Sequence, residues 1–438
     1  MKPRSLWMLL LTACMAGRGL ALEAGTAVAD ITPDVQAFKV PLAGYGARMG
    51  RPATGVHDPL HAKVLYLRDG ATRMALITCD LRSSTPEFKR QIVERCPAPG
   101  FTLDNVFVAC SHTHDGPSMY PEKFWQMQFG KYDPKIVEIM SAAVAEALAK
   151  AVQNAVPVKV GYGAGRAEAF VHNRRFGYDA EKRKAAQETP VTEPVFRMLR
   201  VDGLDGSAKA VVVNFACHPT ILSEKNMAIS AEWPGVLQAE VEKAIPGAVA
   251  MFTNGAEGDQ SPEGVQGTDE FERMRDFGTR LAAVMAPVAQ AIETRPDCPI
   301  AYCRITPELP PLSFPEGAKT KYATYRKAAQ EGLPRRAEIQ ILRIGPAAIV
   351  GLPGEPIMEV GQAVRQAVER QGLEHVLVAG LANDYIGYLV NEKEYAHGGY
   401  EVESRSYYGP GLGAFLAEHA GKAAATIGSH GATGPTHE

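Results

Sequence analysis

Two histidines one residue apart, His112 and His114, lie in the stretch Ser111-His112-Thr113-His114-Asp115-Gly116-Pro117. On an extended segment, residues two apart point the same way, so the pair offers two imidazoles to one spot. Distant segments add complementary groups: Cys217-His218-Pro219-Thr220, Pro353-Gly354-Glu355, and Asn383-Asp384-Tyr385 followed by Tyr388. Two histidines and a glutamate with one position open form a known hydrolytic zinc set, and zinc makes water acidic enough to attack a carbonyl near pH 7. The alternative is that His-x-His is a polar turn with ordinary hydrogen bonds. Ser261, in Gly258-Asp259-Gln260-Ser261-Pro262, invites a serine-hydrolase reading. It lacks the G-x-S-x-G context, and Pro262 has no N–H to act as the oxyanion donor after the nucleophile. A metal-activated water is the better nucleophile. His57 and His61 are four apart, but Pro59 breaks any helix between them, so they read as structural or pocket-wall residues.

These groups share one context, the end of an apolar run. Val106–Cys110 leads into the His-x-His stretch and Val211–Cys217 into His218. Ala248–Phe252 leads into Thr253-Asn254-Gly255 and then Ser261, Ala348–Leu352 into Glu355, and Val376–Gly380 into Asn383 through Tyr388. In α/β sheets, ligand sites form beyond the carboxyl ends of strands. If the five strands share a sheet and a direction, His112, His114, His218, Ser261, Glu355 and Tyr388 meet at one edge.

The elements that must carry them are legible. Asp133-Pro134 caps a helix to about Asn154, whose apolar stripe includes Ile136, Met140, Val144 and Leu148. Helices are expected near 234–244, 270–292, 355–372 and 410–426. Hairpins are expected around Asp69-Gly70, Asp202-Gly203 and Gly345-Pro346. The mixture predicts an α/β fold, a single large domain with a mixed β-sheet flanked by helices and the site at strand C-terminal ends. Residues 165–192 and 308–336 read as long loops with basic clusters.

The 438 residues are 46% hydrophobic and 22% charged, an ordinary globular balance that needs no disulfides at this length. A net charge of −3 carries no basic excess, so no nucleic-acid partner is suggested. Lys2 and Arg4 precede an apolar run, Leu6–Ala16, about half of the roughly 20 residues that span a bilayer. With Gly19-Leu20-Ala21 as cleavage site, residues 1–21 read as a secretory signal. Leu11-Thr12-Ala13-Cys14 also fits a lipoprotein box, so the protein reads as secreted or periplasmic, with a lipid anchor at Cys14 as the alternative outcome. Removing Lys2, Arg4 and Arg18 would take the net charge from −3 to −6. Six of the seven cysteines survive that cleavage. Cys79, Cys110 and Cys217 read as buried thiols, and Cys298 with Cys303 as the best candidates for a bridge. Residues 428–438 read as a disordered tail.

The clusters resemble the neutral/alkaline non-lysosomal ceramidase family. The likeness runs from Gly25-Thr26-Ala27-Val28-Ala29-Asp30-Ile31-Thr32-Pro33 through His57-Asp58-Pro59-Leu60 and the His-x-His stretch. It continues through Asn173-Arg174, Cys217–Thr220, Gly258–Pro262 and Pro353–Glu355 to Tyr388–Tyr400 and Tyr408-Gly409-Pro410. The resemblance implies a zinc amidase acting on an N-acyl bond, in the family a fatty acyl amide of sphingosine. It implies His112, His218, Glu355 and Tyr388 as zinc ligands and His114 as general acid/base. It implies Arg174 and Ser261 as substrate-binding residues of the active site, and Tyr400 beside the developing oxyanion. The turn from Asn254 to Asp259 reads as longer than the family's. Family members also carry a C-terminal β-sandwich that helps shape the lipid site, whereas this sequence ends thirty residues after Tyr408. The expectation is therefore one catalytic domain over 22–427, acting on a small-molecule or lipid amide, with peripheral membrane association as a corollary of a lipid substrate and no oligomeric state implied. The alternatives are hydrolysis of a non-sphingolipid amide or ester, and a non-catalytic exported binding protein that keeps the fold.

Overall fold

Side-chain alternation along the strands sorts the core into layers. In the computed structural model, which describes residues 21–296, 298–315 and 323–428, twelve strands form two main sheets. The larger holds β1 (Glu23–Asp30), β2 (His61–Asp69), β3 (Thr72–Cys79), β4 (Val106–Cys110), β5 (Val156–Arg166), β6 (Val195–Gly203), β7 (Ala208–Phe215) and β8 (Val249–Asn254). Its spatial order is β8-β7-β6-β5-β1-β2-β3-β4. The smaller is β9 (Ile300–Ile305), β10 (Ile339–Ile344), β11 (Ala347–Gly351) and β12 (His375–Ala379), in that order. Leu65, Leu67, Leu76, Phe107, Leu199 and Val212 point from the large sheet toward Leu342, Ile349 and Leu377 of the small one. Their neighbours in sequence point outward, where helices cover them. Val64, Ile77 and Val108 share a cluster with Phe88 and Ile92 of α1 (Pro86–Arg95) and Val137, Met140 and Val144 of α2 (Pro134–Gln153). Val211, Val213 and Phe252 pack with Trp233 of α3 (Glu232–Ala244) and Phe277 and Leu281 of α4 (Glu270–Ala291). Ile341, Val350 and Val376 meet Val360 and Val364 of α5 (Met358–Glu369) and Leu416 of α6 (Leu412–Ile427). The result is helices, sheet, sheet, helices: an α/β domain with its core in three layers. Asp133 caps α2 as expected, accepting from the Lys135 amide.

The five strand ends do not share one sheet or one direction. β4, β7 and β8 belong to the large sheet, β11 and β12 to the small one. Within the large sheet the run of antiparallel pairs makes β4 formally opposed to β7 and β8. The ends meet because the sheet twists. At roughly 20–25° per strand, seven steps accumulate roughly 140–175°, so formally opposed strands come to point the same way, and the sheet curls until β8 touches β4. Asn254, the last residue of β8, donates through Nδ2 to the Ser111 carbonyl just beyond β4 at 3.0 Å. The small sheet is tied in by the Val108 amide, which donates to Asn383 Oδ1 at 2.8 Å, and by a bridge between Ala109 and Ala382.

Other expectations need correction. Residues 165–192 are not one loop: they hold a short strand, Val171–Asn173, and a helix, Ala180–Ala186, because Arg175 and Arg183 are buried in ion pairs. Residues 308–336 include a helix, Ala323–Gly332. The Cys298–Cys303 bridge does not form; Cys303 is a free thiol on β9, as are Cys79, Cys96, Cys110 and Cys217 elsewhere. The signal reading over 1–21 and the tail reading over 428–438 lie, but for residues 21 and 428, outside the described residues. No helix among the described residues is long and apolar enough to cross a membrane.

Candidate metal centre

Directly after β4 the backbone turns at His112, whose φ of 75° is left-handed, a conformation costing a β-carbon residue about 1–3 kcal/mol. Its amide donates to the Leu81 carbonyl at 2.9 Å, which holds the turn. The His-x-His segment is therefore not extended. The two rings still come together, with centroids 4.8 Å apart, through the turn rather than through strand alternation. Gly44 makes room: a Cβ there would sit 2.5 Å from the His114 ring.

Main-chain carbonyls set the tautomers. His112 Nδ1 lies 2.8 Å from the Arg82 carbonyl, and His218 Nδ1 lies 2.8 Å from that of Glu257 and 3.1 Å from that of Gln260. A carbonyl oxygen only accepts, so each Nδ1 carries the proton and each Nε2 bears a lone pair. Burial lowers both imidazoles, His218 to about 4, so both are neutral near pH 7. Their Nε2 atoms both face Glu355 Oε2 at 3.3 Å. His114 Nε2 lies 3.3 Å from His112 Nε2. Burial and the neighbouring His112 push His114 well below its usual range. Around Glu355 Oε2, lone pairs of His112 and His218 confront lone pairs of the carboxylate, an arrangement that repels until a cation lies among them.

The residues fit a divalent metal. Donors at 2.0–2.1 Å around a tetrahedral ion stand ~3.3 Å from one another, the spacing seen here. The second layer is equally formed. Arg82 Nη2 and the Tyr385 hydroxyl donate to Glu355 Oε1 at 2.9 and 2.6 Å, leaving Oε2 for the ion. Arg82 is buried and also donates to the Tyr120 hydroxyl at 2.8 Å. Burial alone would raise the Glu355 carboxyl, and the buried Arg82 guanidinium opposes that rise.

Tyr388 joins through a two-residue parallel pair, Glu355–Pro356 with Tyr388–Leu389, in which Glu355 and Tyr388 are direct partners. Behind it lies a buried ion cluster. Arg174 donates to Glu401 Oε1 at 2.7 Å, to the Gly258 carbonyl at 2.7 Å and to the Tyr388 hydroxyl at 3.1 Å. Arg175 bridges Glu401 and Glu394, and Arg183 grips Glu394. Tyr400 is 55% exposed, with its ring 6.0 Å from that of Tyr388 and the Arg174 guanidinium over its face, which puts it at the mouth of the site. Ser261 is half-buried on a short strand, Gln260–Pro262, opposite His172, and among the described residues its hydroxyl hydrogen-bonds no histidine. His57 stacks on Phe271 and pairs with Asp58, away from the metal donors.

Four of these neighbours were not singled out from sequence. Arg82 follows β3 in Asp80-Leu81-Arg82-Ser83-Ser84, a polar cluster after an apolar run, the same signal that marked the other five segments. Tyr385 sat inside a quoted cluster without a role. Glu257 lay within the turn read as long. Tyr120 carried no signal, being one aromatic among fifteen tyrosines.

The sequence matches the family model described as neutral/alkaline non-lysosomal ceramidase, N-terminal, over residues 22–275 and 322–416. It is 24% identical to a neutral ceramidase of Mycobacterium tuberculosis, over 87% of this chain and 73% of that protein. A neutral ceramidase of Pseudomonas aeruginosa is likewise 24% identical, over 88% and 69%. The fold superposes on the crystal structure of neutral ceramidase from Pseudomonas aeruginosa with a TM-score of 0.81 at 21% identity, covering 94% of this chain and 75% of that one. A ceramidase complexed with C2 gives 0.78 at 20% identity.

Proposed function

The chain belongs to the neutral/alkaline non-lysosomal ceramidase family, and from that premise we propose that it is a zinc-dependent amidohydrolase. It cleaves the N-acyl bond of a ceramide-like substrate to a fatty acid and an amine. The observation that carries the reading is the pair of neutral Nε2 lone pairs facing Glu355 Oε2 at 3.3 Å. His112, His218, Glu355 and Tyr388 hold the ion in this reading. When bound, zinc supplies Lewis acidity toward the acyl carbonyl and acidifies water.

The protein's own groups do the rest. Water oxygen joins the acyl carbon, the C–N bond breaks, and the amine leaves with a proton. His114, beside His112 and still carrying an unpartnered Nδ1, accepts the water proton and returns it to the leaving nitrogen. Arg82 and Tyr385 fix Glu355, and the carbonyls of Arg82 and Glu257 fix the two imidazoles. In this reading Arg174 and Tyr400 at the mouth meet the polar end of the substrate, and the Tyr400 hydroxyl donates to the developing oxyanion. Ser261 orients a substrate hydroxyl or carbonyl from the margin. The protein works outside the cytoplasm after removal of residues 1–21.

The test is a panel of N-acyl sphingosines beside N-acyl amino acids, run after chelation and after zinc is restored. Hydrolysis of the sphingosine amides that vanishes on chelation and returns with zinc is expected. Full activity of metal-free protein would falsify the reading, and zinc-dependent turnover confined to other amides would replace the substrate.

A further inference from the structure

Glu257 differs from every other carboxylate at the centre. It is fully buried, and neither oxygen has a hydrogen-bond partner. Glu355, by contrast, receives Arg82 and Tyr385. The placement of Glu257 is enforced. Its carbonyl receives His218 Nδ1 at 2.8 Å, and the next amide, of Gly258, donates to Pro356 at 2.8 Å. The carboxylate rests against Gly380, where a Cβ would come 2.7 Å from Oε2 and 2.7 Å from the Gly255 carbonyl. One of its oxygens, His112 and Glu355 offer donor atoms all within 4.8 Å of one another.

A buried carboxylate without a hydrogen-bond partner is costly to hold, and the neighbouring Glu355 carboxylate adds to the cost, which Arg174 and Arg82 offset only in part. A cation among the donors would relieve both carboxylates. We infer that Glu257 is a second carboxylate ligand of the single divalent ion held by His112, His218 and Glu355, making a two-histidine, two-carboxylate centre. This rests on the metal reading above. Two carboxylates cancel the charge of a divalent ion, so the centre is neutral with Tyr388 as a phenol. It should also accept manganese more readily than a one-carboxylate site, since oxygen donors suit that ion.

The experiment titrates the metal-free full chain and its Glu257→Gln variant with zinc against a chromophoric chelator, and records X-ray absorption of both zinc-loaded proteins. The expected result is one zinc per chain in each, bound at least ~10-fold more weakly by the variant and with one fewer oxygen in its shell. The zinc-induced rise in melting temperature should shrink in parallel. Glu257→Leu, similar in size and uncharged, gives the same reading if the amide disturbs folding. Equal affinity and equal shells overturn the assignment, as would two zinc ions in the parent and one in the variant. A parent chain that binds no zinc overturns the metal reading of the whole site, which separates the two failures.

Discussion

The metal centre and the arginine–glutamate cluster behind Tyr388 are both buried and both charged, yet they are balanced in opposite ways. In the cluster every carboxylate has an arginine: Glu394 is held by Arg175 and Arg183, Glu401 by Arg174 and Arg175. Three guanidinium groups face two carboxylates, and the surplus is spent on Arg174, which reaches out to the Tyr388 hydroxyl. In the centre, acceptors face acceptors at 3.3 Å, and Glu257 has no partner. A buried charge without a partner costs several kcal/mol, whereas a well-formed pair roughly breaks even. The cluster is therefore complete as folded and acts as scaffold. The centre leaves donors unmatched, which the proposed ion would answer.

The sharpest way to break this contrast is to remove a donor. His218→Ala should abolish zinc binding and lower kcat/KM by more than ~10³, the scale of losing an essential group. Dialysis with metal analysis and steady-state kinetics check it, and retained zinc would show that His218 is not a ligand. Next comes the cluster. Arg175→Met takes one of two guanidinium partners from each of Glu394 and Glu401 and should destabilise the fold by about 3 kcal/mol in urea titrations. The loss should be the same with and without zinc; a loss seen only in the loaded protein would mean the two regions are one unit.

Arg82→Met touches the centre without removing a donor. Glu355 keeps its position in the strand pair but loses the guanidinium at 2.9 Å, so zinc affinity should fall ~10–100-fold. Competition with a chelator measures this, and unchanged affinity would reduce Arg82 to packing. The smallest effect is one of pH. Burial would raise Glu394, but Arg183 and Arg175 outweigh it and bring it from 4.5 down to about 2. Its pairing thus stabilises the fold fully above about pH 4.5 and less as pH falls toward 2. Hydrogen exchange between pH 5 and 2.5 should show segments 171–188 and 392–405 losing protection over that range. Protection that stays level would remove the cluster from the acid response.

The donors were legible because their chemistry is rare. His112, His218 and Glu355 each follow an apolar run, and that pairing of strand and polar end survives in the structure even though the shared sheet does not. Direction was not legible, since the twist that brings β4 to β8 belongs to all eight strands and to no single segment. The reason given for His112 and His114 being neighbours was also incomplete: a left-handed φ at a histidine leaves no mark in residue type. The segment around Arg175 read as a long loop with a basic cluster because its partners, Glu394 and Glu401, lie more than two hundred residues away. Gly380 could be noticed in the sequence, but its purpose appears only once Glu257 is seen lying against it.

The joining of the two sheets also sets a schedule. The donors at 112, 218 and 355 come from β4, β7 and the turn after β11, and the anchor that locks β4 to the small sheet is Asn383. During synthesis at roughly 5–20 residues per second, the first histidine is made tens of seconds before that anchor. Pairings so distant in sequence form late, after the local hairpins and helices. An incomplete chain has no complete donor set, so under the proposed metal reading uptake of the ion would report the last step of folding, after both sheets have closed.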